Sequence, residues 1–223
     1  MLPKISPEKI VYSKEPDDSL AYTEKLDQAY AKYARLYDQA LKILPVWKTW
    51  IKAVLPHIQG ERVLEASFGT GYLLLQYAAY YETYGIDYNK EMIAVAQKNL
   101  AAKGVPATLA WANVEKLPYP DNHFDTIVNT MAFSGYPNGQ KAMAEFYRVL
   151  KDDGRLLMID FDYPADRNIL GYLLTKLMEL AGDTIRDISK MLQAFNFEYV
   201  EKEIGGFGSI HFYIAQKPAA QNG

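Results

Sequence analysis

Val63-Leu-Glu-Ala-Ser-Phe-Gly-Thr-Gly71 joins a short apolar strand, Arg62–Ala66, to a turn with two glycines. A helical pattern holding Leu73, Leu74, Leu75 and Tyr77 follows. Gly69 and Gly71 let the backbone come close to a ligand. The helix beyond them offers N–H groups without helical partners and the positive end of a dipole. An open α/β sheet binds its ligands at such a turn, outside the carboxyl ends of its strands. A tight connection that binds nothing needs the same two glycines, so flanking residues must separate the two readings.

Working outward, the chain alternates. Thr83–Asp87 reads as a second strand. Asn89 then caps a helix with Met92, Ile93, Ala96 and Leu100 on one face, and Gly104 closes it. Thr108–Ala112 and Thr126–Asn129 read as strands three and four. A helix with Met143, Phe146, Tyr147 and Leu150 on one face lies between Asn138 and Leu150, and Arg155–Phe161 is a nearly continuous apolar run. The order β-α-β-α-β-β-α-β predicts an α/β fold, a parallel sheet wrapped by helices. Beyond it, Asn168–Ala181 is a strongly apolar helical stretch and a further helix falls near Asp183–Ala194. Phe197–Ile204 and Ile210–Gln216, separated by Gly205-Gly-Phe-Gly, predict a closing antiparallel hairpin.

Upstream, residues 1–19 carry Pro3, Pro7 and Pro16 among charges and read as a flexible arm. Residues 20–60 read as a helical cover. Its first helical pattern holds Leu26, Tyr30, Tyr33, Tyr37, Leu41 and Leu44, and its second holds Trp47, Trp50, Ile51, Val54 and Leu55. Residues 61–217 form the sheet domain, and the tail from Lys217, residues 218–223 above all, reads as disordered.

Composition narrows the function. The 223 residues are 49% hydrophobic, enough for a buried core. With 24 Lys+Arg against 27 Asp+Glu and no basic block, a nucleic-acid partner held by phosphates is not expected. No Cys is present, which excludes disulfides, thiolate nucleophiles, thiolate zinc sites and iron–sulfur clusters. No run approaches the ~18 apolar residues of a membrane span, and no leader is evident. The expectation is a soluble, cytoplasmic protein, monomer or homodimer.

Asp87 ends the second strand, 22 residues after Glu65, where a carboxylate can accept both ribose hydroxyls of an adenosine. A charge at the following helix N-terminus is the other reading. The dinucleotide fingerprint Gly-x-Gly-x-x-Gly fails, because its last glycine counted from Gly69 falls on Leu74, a side chain that would crowd the helix–strand approach. Adenosine without a second nucleotide is therefore preferred to NAD.

These residues resemble the class I S-adenosylmethionine-dependent methyltransferases, and within them the branch of ubiquinone/menaquinone-biosynthesis C-methyltransferases and other small-molecule enzymes. Val63–Gly71 is similar to the family's first motif, with Ser67 where glycine is commoner. Tyr84-Gly-Ile-Asp87 followed by Asn89-Lys-Glu-Met92 resembles its ribose-binding segment. Leu117-Pro-Tyr-Pro-Asp-Asn-His-Phe-Asp125 resembles its lead into strand four, and Glu145-Phe-Tyr-Arg-Val-Leu-Lys-Asp-Asp-Gly-Arg155 its lead into strand five. Tyr30-Ala-Lys-Tyr-Ala-Arg-Leu-Tyr-Asp38 is similar to a segment that closes over the cofactor.

The resemblance implies a Rossmann-like sheet and S-adenosyl-L-methionine as cofactor, with S-adenosyl-L-homocysteine as product. It implies that the backbone at Ser67, Gly69 and Gly71 holds the methionine part, with Glu65 reaching its ammonium. Asp87 takes the ribose, Tyr88 follows it, and Met92 packs on the adenine. Asn113, where the family usually has Asp, reads the adenine edge with the Val114 N–H. Asn129 lies beside the methionine moiety, and Tyr30 and Tyr37 cover it.

Methyl transfer is an in-line displacement governed by positioning, worth up to roughly 7–11 kcal/mol, so a general base is optional. No catalytic residue is identified. His57, His123 and His211 read as structural, and the branch's histidines after strand four are replaced by Phe133-Ser-Gly-Tyr136. Asp160 and Asp162, after strand five, either serve a substrate or face solvent. No metal is expected, since Asn129 stands where a magnesium-binding carboxylate would. The stretch 165–182 reads as a lid over a small, partly apolar methyl acceptor, or as core or a dimer contact. The alternatives for function are a non-catalytic cofactor-binding module and a protein-acting methyltransferase.

Overall fold

Arg62–Ala66 (β1), Glu82–Asp87 (β2), Thr108–Trp111 (β3), Phe124–Thr130 (β4), Leu150–Phe161 (β5), Glu198–Gly205 (β6) and Ile210–Gln216 (β7) form one sheet in the order β3-β2-β1-β4-β5-β7-β6. The computed structural model describes residues 3–19, 21–24 and 46–219. All pairings from β3 to β5 are parallel, and β7 runs antiparallel to both β5 and β6. The fold is Rossmann-like with a closing antiparallel hairpin, as the alternation predicts.

The helices are Val46–Ile51 (α1), Leu74–Tyr77 (α2), Lys90–Lys103 (α3), Gly139–Val149 (α4), Ile169–Ala181 (α5) and Ile188–Ala194 (α6). Two apolar layers explain why the central strands read as unbroken hydrophobic runs. Leu64, Ile127, Leu156 and Tyr213 face one layer with Phe146 of α4 and Met191 of α6. Their neighbours Val63, Val128, Leu157 and Phe212 face the other with Ile51 of α1, Leu74 of α2 and Ala96 of α3. Asn89 caps α3 by accepting from the Met92 N–H, and Gly104 ends it in the left-handed region. No helix among the described residues is long and apolar enough to cross a membrane.

Three local expectations differ from the structure. β5 starts at Leu150 rather than Arg155, because Leu150 already pairs with Phe124 across an irregularity. Residues 3–19 are strapped to the sheet's far end rather than loose. Pro3 O accepts from Ile169 N, Ile5 N donates to Arg167 O, and Ser13 N donates to Ile185 O. Lys217, read as the start of a disordered tail, is buried. Its ammonium reaches Asn122 Oδ1 at 2.7 Å, Leu150 O at 2.9 Å and Asp152 at 3.2 Å. In both cases the partners lie far away in sequence, where local composition carries no sign of them. The helical pattern from Leu20 to Leu44, with Tyr30 and Tyr37, lies outside the described residues apart from 21–24.

Candidate cofactor site

Strand order reverses between β1 and β4, and the carboxyl ends of the parallel strands β1, β2, β3 and β4 share one edge of the sheet, where open α/β sheets bind ligands. The glycine turn leaves β1 with Ser67, Gly69 and Gly71 all at positive φ, 60°, 55° and 74°. A Cβ on Gly69 would meet nothing within 4 Å, so that glycine borders open space. At Gly71 a Cβ would come 3.0 Å from Ala96 Cβ, so this second glycine serves the close packing of the turn on α3. The two glycines thus do different work.

Asp87 does more than the sequence suggests. Its Oδ2 accepts from Gly69 N at 2.8 Å and its Oδ1 from Asn89 N at 2.9 Å, so one carboxylate ties the turn after β1 to the cap of α3. Tyr88 and Trp111 lie ring to ring at 5.6 Å, with Trp111 Nε1 donating to Tyr88 O, and both are exposed beside Asp87. Met92, half-buried, opens α3 next to them.

At the next loop Asn113 Oδ1 accepts from Glu115 N at 2.8 Å, an Asx turn that presents the buried Val114. Where the family's Asp would bring a charge, this Asn brings a turn already made and an NH2 group.

Glu65 is buried, and Tyr77 OH donates to its Oε2 at 2.9 Å. Burial pushes its carboxyl up to about 8, with the nearby Asp87 charge adding to the rise and the Tyr77 hydrogen bond opposing it. Glu65 is therefore mostly neutral at pH 7.

Asn129, at the end of β4, is fully buried. Its Nδ2 donates to Ala66 O at 3.1 Å and to Tyr136 OH at 2.7 Å, and since Ala66 O only accepts, the amide orientation is fixed. Its Oδ1 has no partner among the described residues. Ser67 Oγ and Tyr136 OH are 2.8 Å apart. Tyr136 thus bridges the glycine turn and β4, and it is the site residue that the sequence reading passes over. Its only signal was its place in the Phe133–Tyr136 stretch after strand four. Met131, also at positive φ (54°), adds backbone strain at the end of β4 opposite that of Ser67.

The remaining candidates fall away from this sheet edge or into closed networks. His57 precedes β1 and His123 precedes β4, at the opposite edge of the parallel strands. Asp160 and Asp162 do not face solvent. Asp160 is fully buried and accepts from Ser134 N at 3.0 Å and Phe161 N at 2.7 Å. Asp162 accepts from Tyr12 OH at 3.0 Å and Tyr213 OH at 2.6 Å, and burial lifts it to about 6.

His211, near Asp162 and Glu201, has Nδ1 2.5 Å from Glu201 Oε1 and Nε2 2.8 Å from Gly208 O. The Glu201 hydrogen bond and the Asp162 and Glu201 charges raise its pKa against the effect of burial. It lies among two carboxylates and a backbone carbonyl in a closed hydrogen-bond network.

Comparison with known proteins places the chain in a family. The family profile described as Methyltransferase domain matches residues 64–158. The ubiquinone/menaquinone biosynthesis C-methyltransferase of Ectopseudomonas mendocina is 31% identical over 195 residues, covering 81% of this chain and 74% of that protein. Its counterpart from Azotobacter vinelandii is 29% identical over 208 residues, covering 86% and 79%. Among solved structures, an S-adenosylmethionine-dependent methyltransferase of Thermotoga maritima superposes with a TM-score of 0.68 at 19% identity, covering 84% of this chain and 97% of that one. The chain belongs to the class I S-adenosylmethionine-dependent methyltransferases. Within them it is related to the ubiquinone/menaquinone biosynthesis C-methyltransferases, and S-adenosylmethionine is its cofactor.

Proposed function

We propose that this methyltransferase acts on a small, partly apolar acceptor and works mainly by positioning. Bound S-adenosylmethionine supplies an electrophilic methyl group that an acceptor lone pair takes by in-line displacement. The backbone at Ser67, Gly69 and Gly71 cradles its methionine part, with Glu65 and Asn129 as acceptors for the ammonium. Asp87 receives the ribose hydroxyls, Tyr88 and Met92 flank the adenine, and Asn113 with the Val114 N–H meets its edge.

The observation that carries this reading is Asn129 Oδ1, a buried acceptor without a donor, one strand from the glycine turn. A buried orphan of this kind costs about 1–3 kcal/mol unless a ligand or water fills it. The neutral Glu65 nearby fits the same donor, because an ammonium would draw it into its charged form.

On the acceptor side, the fold offers Phe133, Ser134 and Tyr136 after β4 and the α5 region after β5. The family's histidines are absent there. Ser134 Oγ donates to Asp183 Oδ1 at 3.1 Å, and Asp183 is raised to about 6 by burial and the Asp160 charge. Relatives named for C-methylation in quinone biosynthesis support a small-molecule acceptor. Calorimetric titration with S-adenosylhomocysteine, with NAD as control, tests the cofactor assignment. One-to-one binding of the first and no heat from the second is expected. No binding of the first overturns the site.

A further inference from the structure

Asn129, Tyr136 and Ser67 form a chain of hydrogen bonds whose direction follows from counting protons. The Asn129 amide carries two N–H groups, and both are used. One donates to Ala66 O at 3.1 Å and the other to Tyr136 OH at 2.7 Å. Burial pushes the Tyr136 hydroxyl well above its ordinary value, so it keeps its proton. That oxygen already accepts from Asn129, so its proton needs another acceptor, and Ser67 Oγ at 2.8 Å is the one the described residues provide. Donation therefore runs from Asn129 to Tyr136 to Ser67.

The consequence falls on the far side of the amide. Ala66 O alone decides which end of the Asn129 side chain is nitrogen, but it leaves the amide to rock about its last torsion, which has a broad well. The Tyr136 hydroxyl supplies a second point and fixes the plane. With the plane it fixes the direction of Oδ1, which has no partner among the described residues. Tyr136 is itself held by the protein: it is buried, its N donates to Phe133 O at 3.1 Å, and its ring meets the Phe133 ring edge-on at 5.7 Å. Support of this kind keeps a binding group in its productive geometry before the ligand arrives.

We propose that Tyr136 is a positioning residue for the amino-acid end of S-adenosylmethionine: its hydroxyl locks the Asn129 amide so that Oδ1 is presented to the ammonium. This rests on the assignment of Asn129 to that ammonium. It also gives Tyr136 a part in selecting the ligand, since an adenosine without an amine gains nothing from the lock. A brace that only ties the glycine turn to β4 would use the same bonds, and a ligand series separates the two roles.

The full chain and Tyr136→Phe are titrated calorimetrically with three probes. S-adenosylhomocysteine carries the amine, its decarboxylated analogue keeps the amine without the carboxylate, and 5′-methylthioadenosine lacks both. In Tyr136→Phe the first two should lose about tenfold in affinity, while the third stays within about twofold. Retained binding of the third also shows that the variant is folded. Equal losses for all three would identify a brace and overturn the proposal, as would no loss for any. Loss for S-adenosylhomocysteine alone would move the contact to the carboxylate and overturn it as well. If the unaltered chain binds S-adenosylhomocysteine no better than 5′-methylthioadenosine, the ammonium assignment itself falls.

A double-variant cycle checks the route through Asn129. In an Asn129→Ala background, adding Tyr136→Phe should cost no further affinity for S-adenosylhomocysteine, because the group it positions is gone. A second loss of about tenfold there would overturn the proposal.

Discussion

The two halves of the sheet are held by different means. In the half made by β3, β2, β1 and β4, the groups proposed to hold the cofactor come from turns at strand ends, and their polar partners are close in sequence or one strand away. Asp87 binds Gly69 and Asn89. In the half made by β5, β7 and β6, polar side chains reach across most of the chain. Tyr12 bonds Asp162, and Arg186 pairs through two nitrogens with Glu15. The first arrangement suits a ligand, because its polar groups gather around the glycine turn at the strand ends. The second suits fastening, since its groups saturate one another. Mutations should therefore split: the first half should lose affinity, the second stability.

Arg186→Ala should have the largest effect. The guanidinium is buried, donates to Phe133 O, Thr184 O and Tyr136 O, and meets Glu15 at 2.6 Å. Its removal orphans three carbonyls and unlatches the arm. A loss of about 3–5 kcal/mol is expected. At about 2–4 °C per kcal/mol for a chain of this size, the melting temperature falls by roughly 6–20 °C. A shift of a degree or two in differential scanning calorimetry would show that the long-range contacts fasten nothing.

Asp87→Ala tests the other half. It removes the proposed ribose acceptors and the ties to Gly69 and Asn89. Hydrogen bonds to a charged group are worth about 1.5–3 kcal/mol, so S-adenosylhomocysteine affinity should drop about a hundredfold. The melting temperature should fall less than in Arg186→Ala. Calorimetric affinity within threefold of the unaltered protein, on the order of 0.6 kcal/mol, would end the assignment of Asp87 to the ribose.

The same division explains what could be read from the sequence. Gly69, Asp87, the Asn89 cap and the Gly104 stop are legible because each acts within a few residues of a strand end, and apolar runs fix those strands. Tyr136 was hidden because a tyrosine in a loop has no periodicity, and its partners Ser67 and Asn129 sit on two other strands. The Tyr12, Glu15 and Lys217 contacts were illegible for the same reason on a larger scale. Charges and prolines at a chain end look solvated until the fold brings up their partners. Asp160 and Asp162 followed suit: at a strand end either burial or exposure was open, and the covering arm and the loop before α6 decide for burial.

Glu65 gives a pH handle on the first half. Its carboxyl sits near 8 in the folded, ligand-free protein, above its ordinary 4.5, so the fold holds a proton that the unfolded chain releases. Between these values rising pH destabilises the fold through this group, and above about 8 the penalty is constant. A ligand ammonium reverses the preference, so binding should expel the proton. S-adenosylhomocysteine affinity should then rise with pH toward 8, by up to about tenfold per unit, and level off above it. Glu65→Gln should flatten that rise. A slope that survives in the variant would move the titrating group elsewhere.

Ser67 offers the finest cut. Its left-handed backbone, φ 60°, carries a strain of roughly 1–2 kcal/mol that glycine would not, which accounts for glycine being commoner in the family here. Its hydroxyl contact with Tyr136 OH returns about 1 kcal/mol. Ser67→Gly should therefore leave stability within about 1 kcal/mol, relief of strain offsetting the lost bond and the added chain entropy. Ser67→Ala keeps the strain and loses the bond, so it should cost about 1 kcal/mol relative to the unaltered chain. Alanine less stable than glycine in urea melts is the expected order. The reverse order would mean that the backbone at 67 is not strained, and that the serine stands there for the ligand rather than for Tyr136.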